Sequence, residues 1–169
     1  MAYTIAHPRR GGSMARWADL EREAPEVAGP GRALLYQHGP GLAYLATNRK
    51  DGGLRIHPFC PVVTNGGIYG LVGRSPKRDD LARTGRFAIH AFPKAESDDE
   101  FMLAGEAVRL VTGEAELKIV SDAYHATGST SSGDEDTYEF VIGRALFALY
   151  RARDGKPTWP PQYFKWRAR

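Results

Sequence analysis

The chain has one cysteine, Cys60, among its 169 residues, so no internal disulfide forms and nothing in it asks for an oxidising compartment. Long apolar runs are also missing. Near the C-terminus the longest reaches only from Ala145 to Tyr150, against the roughly 20 residues of a membrane helix. Met1 to Ile5, followed by His7, Pro8, Arg9 and Arg10, contain no apolar stretch of the ~7–15 residues found in a secretory signal. A cytoplasmic protein without membrane association is the expectation. No G-x-G-x-x-G is present: Gly39 and Gly41 would need a glycine where Tyr44 stands, and Gly29 with Gly31 fails at Leu34. Walker and G-x-S-x-G sequences are absent as well. The five histidines, His7, His38, His57, His90 and His125, lie at least nineteen residues apart, so no metal site is expected.

Charge of either sign is in small excess. Lysine and arginine number 23 against 20 acids, a net +3, and Arg9, Arg10, Lys165, Arg167 and Arg169 in the tails account for more than that whole difference. The body is slightly acidic, which speaks against nucleic-acid binding. With 42% hydrophobic and 25% charged residues, the composition is that of a folded domain, and the length suits one. Its sections are a helical preface over 1–31, a β-rich middle over 32–111, and a C-terminal part over 112–169.

In the preface, Ser13 is placed to cap a helix over Met14 to Ala24, with Trp17, Leu20 and Ala24 on one face and Pro25 interrupting it. A second helical stretch is expected over Gly31 to Gln37. From Leu42 the period becomes two, and Asp51, Gly52 and Gly53 supply hairpin chemistry. Leu54 to Val63 reads as one returning strand, with Leu54, Ile56, Cys60 and Val62 on one face and Arg55, His57, Phe59 and Val63 on the other. Pro58 and Pro61 make it an irregular or edge strand. Ile68 to Val72 follows, then a helix with Ser75 as N-cap, Pro76 first and Gly85 as stop. Phe87 to Phe92, Phe101 to Val111, Tyr138 to Ile142 and Ala145 to Arg151 read as strands, Lys118 to Ala126 as a helix, and Trp159 to Trp166 as an edge strand. Six or more strands joined by hairpins indicate a mainly β, antiparallel barrel or sandwich.

Chemistry concentrates at Gly73-Arg74-Ser75-Pro76-Lys77-Arg78, where a helix N-terminus meets three cations and a hydroxyl. That combination seats a phosphate, or is an ordinary capped helix with solvated charges. His57 either hydrogen-bonds a ligand or satisfies a backbone group. Cys60 reads as a small buried hydrophobe. Trp159, Tyr163, Phe164 and Trp166 pack on a core or a partner chain, or form an aromatic lid over a planar ligand.

Leu45-Ala46-Thr47, the Asp51-Gly52 turn, Leu54 to Val62, Tyr69 to Leu81 with Ser75-Pro76-Lys77-x3-Leu81, Arg86 to His90, and Glu100-Phe101-x3-Gly105 together resemble the pyridoxamine 5′-phosphate oxidase-like, FMN-binding split-barrel family. The likeness is carried by Arg32 to Val111. It implies a six-stranded antiparallel split β-barrel that forms a homodimer with two flavin sites at the subunit interface. By position, Ser75 and Lys77 match the phosphate-binding serine and lysine, with Arg78 beside them. Arg55, His57, Pro58, Phe59 and Cys60 match the strand along the flavin, and Glu100 matches a contact from the other subunit. Trp166 is the candidate to stack against a planar small-molecule substrate. Pro76, Val63 and Leu71 stand where the oxidases have arginine, lysine and threonine, which points away from pyridoxal phosphate synthesis. The resemblance thus implies an FMN-dependent oxidoreductase with an unassigned substrate. The alternatives are a reductase using the deazaflavin coenzyme F-420, and a non-catalytic flavin- or haem-binding or dimeric interaction protein.

Overall fold

A computed structural model describes residues 15–94, 97–151 and 156–169. Two helices open it: α1 (Trp17–Glu23) and α2 (Pro25–Leu35). Trp17, Leu20 and Ala24 are buried on one face, as their spacing requires, while Ser13 and Met14, the expected cap and first residue, lie outside the described residues. Pro25 does not end the helical section. It stands first in α2, where a residue without an N–H costs nothing, so the second helix begins six residues before the Gly31 expected from sequence.

Ten strands follow among the described residues: β1 (Ala43–Asn48), β2 (Leu54–Phe59), β3 (Pro61–Thr64), β4 (Gly67–Val72), β5 (Phe87–Ala91), β6 (Glu100–Gly105), β7 (Ala107–Leu110), β8 (Asp136–Val141), β9 (Arg144–Arg151) and β10 (Pro157–Arg167). Helix α3 (Pro76–Thr84) stands between β4 and β5, and α4 (Glu114–Ala126) between β7 and β8. The mainly β, antiparallel class is as expected, but the strands form two sheets, β10-β9-β6-β5-β1-β2 and β3-β4-β8-β7.

The difference from a six-strand count has a local cause. Each of the two long strands read over 54–63 and 101–111 crosses from one sheet to the other, breaking at Cys60 and at Glu106. Pro58 and Pro61, which cannot donate to a ladder, fall in β2 and β3, and each of those strands is an edge of its sheet. The Asp51-Gly52 hairpin forms as read, with the Gly53 amide donating to the Asp51 carboxylate at 3.0 Å.

Register assigns the paired residues of the larger sheet a face. One rung runs His57, Leu45, Ile89, Leu103, Ala145, Trp166 across all six strands, and its four central residues are buried in the core with Trp17, Phe101 and Phe140. The opposite face carries Pro58, Tyr44, His90, Met102, Leu146 and Lys165 on the next rung, and among the described residues nothing seals it: Tyr44 is 40% exposed and Ile56 63%.

Candidate functional site

Helix α3 starts where the sequence places it. Ser75 is the N-cap residue, Pro76 comes first, and Gly85 closes the helix at φ 64°, a left-handed conformation that glycine adopts without steric cost. The Ser75 hydroxyl does not cap, however; it donates to the Gly73 carbonyl at 3.0 Å. Pro76 has no N–H, and the amides of Arg78 and Asp79 both donate to the Ser75 carbonyl. Arg78 also lies 3.5 Å from the Asp136 carboxylate, whereas Arg74 and Lys77 have no ion pair among the described residues.

β2 reaches this helix through one side chain. Arg55 is anchored through its Nε, which donates to Asp80 Oδ2 at 2.9 Å. Asp80 is 5% exposed and also accepts from the Thr47 hydroxyl at 3.1 Å and from Arg83 at 2.9 Å. Burial works to raise the Asp80 carboxyl, but the hydrogen bonds from Arg55, Arg83 and Thr47 outweigh it and hold the group below its usual range. A cleft of about 540 Å³ opens here between the β1–β2 hairpin and α3, lined by Arg49, Lys50, Arg55, Pro76, Asp79 and Arg83 among others.

The other sequence-predicted residues divide by location. His57 is half-buried two residues beyond Arg55 on the same face of β2. Pro58 is exposed on the outer face, and Phe59 is buried edge-on against Phe140, with ring centroids 5.7 Å apart. Cys60 is half-buried beside Tyr124, whose hydroxyl is pushed up by burial and by the neighbouring thiol. Glu100 begins β6, three strands from β2. Trp166 sits on β10 at the opposite edge of the sheet, about 24 Å from β2 along the sheet at ~4.8 Å per strand, with its Nε1 donating to Glu23 at 3.0 Å. Within one chain, then, Arg55 and the start of α3 come together, while Glu100 and Trp166 lie across the sheet from them.

In the sequence Asp80 is simply an acid in the second turn of the helix that Ser75 opens, and its burial is not legible there. The one local signal is its position just before the inward Leu81. A second network was missed altogether: buried Glu139 accepts from Arg16 at 2.6 Å and Arg109 at 2.7 Å, and Glu116 accepts from Arg109 and from the Tyr69 hydroxyl. Hydrogen bonding from Arg109 holds the Glu116 carboxyl below its usual range against burial. All the cations of that network are paired, which makes it a tie between β4, β7, β8 and α4.

No family model and no curated protein matches the sequence. Solved structures do match the fold. A NimC/NimA family protein of Clostridium acetobutylicum aligns at 18% identity over 88% of this chain and 98% of its own, with a TM-score of 0.57. A protein from the same organism related to general stress protein 26, of the pyridoxinephosphate oxidase family, aligns at 12% over 88% and 95%, TM-score 0.56. A haem binding protein from Mycobacterium smegmatis aligns at 16% over 82% of this chain, TM-score 0.59, and the chain spans only 57% of that protein.

Proposed function

We propose that this chain, which has the fold of the pyridoxamine 5′-phosphate oxidase-like proteins, binds FMN and acts as a homodimeric flavin-dependent oxidoreductase. The observation that carries the reading is the cleft beside α3, which Arg55 and Pro76 at the start of that helix both line; close to Pro76 in the chain, Lys77 and Arg74 have no ion pair among the described residues. A phosphate fits this donor set, because cations without partners gain a charge-assisted contact at no cost to the fold. Lys77, Ser75 and Arg78 hold the phosphate together with the Arg55 guanidinium, and His57 and the backbone of Pro58 to Cys60 run along the rest of the cofactor. The exposed apolar face bearing Tyr44, Ile56 and Met102 is covered by a second copy, which brings its own Glu100 toward the ring, and Trp166 of either copy stacks against the substrate.

When bound, the flavin supplies hydride transfer; the protein's residues orient it and exclude water from its face. No side chain is required as an acid or base. The extension of the cleft to Arg49 and Lys50 favours a second reading, in which the longer anionic tail of the deazaflavin coenzyme F-420 lies there. The fold shared with a haem binding protein supports a third, non-catalytic reading.

Titration of the purified chain with FMN, the deazaflavin coenzyme and haem, followed by visible absorption, separates the three. Saturable FMN uptake with a band near ~450 nm is the expected result. Lys77→Ala is expected to weaken FMN binding by roughly 1–3 kcal/mol, the scale of a hydrogen bond to a charged group. Unchanged affinity in that variant would place the phosphate elsewhere.

A further inference from the structure

We propose that Asp80 is a positioning residue of this site: it fixes the Arg55 guanidinium so that both terminal nitrogens face the cleft as a ready-made fork for an oxyanion. The inference rests on the FMN reading of the cleft. Three observations carry it.

The first is the way Asp80 is held. It is 5% exposed and accepts donors from three elements: Thr47 on β1, Arg55 on β2 and Arg83 on its own helix. Arg83 also donates to the Asn48 carbonyl, so the carboxylate sits at the junction where α3 is tied to the β1–β2 pair. Movement of Asp80 relative to β2 would have to break several of these bonds together.

The second is what Arg55 does with the rest of its side chain. Its Nε is spent on Asp80, and its side chain is only 25% exposed. Both Nη nitrogens lack partners among the described residues, yet no side-chain nitrogen among those residues is buried without a hydrogen bond. They therefore reach solvent, and the open space that Arg55 lines is the cleft. A guanidinium held by Nε keeps its Nη edge free, the edge that pairs with two oxygens of a phosphate or carboxylate. Rotamer freedom that a surface arginine would lose on binding is already lost here.

The third is the charge balance. Asp80 is one carboxylate shared by two guanidiniums, so the corner stays cationic although an acid is buried in it. Of the other acids lining the cleft, Asp51 is paired with Arg49 at 2.8 Å, and Asp79 lies on the adjacent turn of α3.

The test is a double-mutant cycle on FMN affinity, read by quenching of FMN fluorescence, with Asp80→Asn, Arg55→Ala and the pair together. Asp80→Asn is expected to lower affinity about tenfold and Arg55→Ala at least as much. The double variant is expected to be no weaker than Arg55→Ala alone, since Asp80 acts through Arg55. Equal additive losses, or no loss in Asp80→Asn, would overturn the proposal. Should Asp80→Asn fail to fold, Arg55→Lys decides: it keeps the charge but has no fork, so affinity near that of Arg55→Ala supports the proposal and wild-type affinity overturns it. A wild-type chain that does not take up FMN overturns the flavin reading and this proposal with it. FMN uptake that Arg55→Ala leaves unchanged overturns this proposal alone.

Discussion

At the scale of single residues, two acids of the packed ion-pair networks contribute to the pH response beside the more exposed Asp19, Asp51 and Glu135. Asp80 and Glu116 both have carboxyls held below their usual range in the folded chain by guanidinium hydrogen bonds. A depressed folded-state value means the stabilisation is fully present above the unfolded value of about 4 and is lost as pH falls through the folded one. Stability from these groups is therefore expected to be level between about pH 5 and 8 and to drop below about pH 4. Urea midpoints measured across that range check it, and Asp80→Asn should remove part of the acid-side slope. Asp80 itself shows why this part of the site was illegible in the sequence. A carboxylate near a helix N-terminus is the ordinary solvated arrangement, and only the fold reveals that Thr47 and Arg55, more than twenty residues upstream, close over it.

Among the elements, α2 tests whether packing or propensity rules. Its composition, Pro25-Glu26-Val27-Ala28-Gly29-Pro30-Gly31, is poor for a helix, yet it forms because it lies on β6. At Gly31 an added Cβ would stand 2.3 Å from the buried Phe101 ring, whereas at Gly29 it would meet nothing within 4 Å. Gly31→Ala is expected to destabilise by roughly 1–3 kcal/mol, since overpacking a core ring outweighs the gain in propensity. Gly29→Ala in the same helix should stabilise by up to about 1 kcal/mol. Chemical denaturation of the two variants decides the matter. The contrast also separates what the sequence made legible from what it did not. The Asp51-Gly52 turn and the Ser75, Pro76 and Gly85 boundaries of α3 are set by local dihedral preferences and were readable. The packing of α2 at Gly31 depends on Phe101, 70 residues further on, and the breaks at Cys60 and Glu106 depend on which sheet each half-strand joins; no local pattern encodes either.

At the scale of the molecule, the described residues cover the larger sheet on one face only. The apolar residues of β2 that sequence alternation grouped together, Leu54 and Ile56, are 70% and 63% exposed, and the polar-looking set with Arg55 and His57 is the one turned toward the core. Wild-type chain is expected to elute as a dimer in light-scattering chromatography, and Ile56→Asp as a folded monomer, because a carboxylate desolvated at that face has no partner. The monomer should also lose FMN affinity, as Glu100 would come from the other copy. A variant that remains dimeric would put the interface elsewhere.

The same β2 edge sets a kinetic hazard for the newly made chain. Among the described residues its unpaired edge coincides with the exposed Leu54 and Ile56, and Pro58 is the one proline within the strand. Until that surface is covered, an emerging chain offers a sticky strand to any unfolded neighbour, so correct assembly and aggregation compete for the same residues, and crowding of nascent copies hastens both.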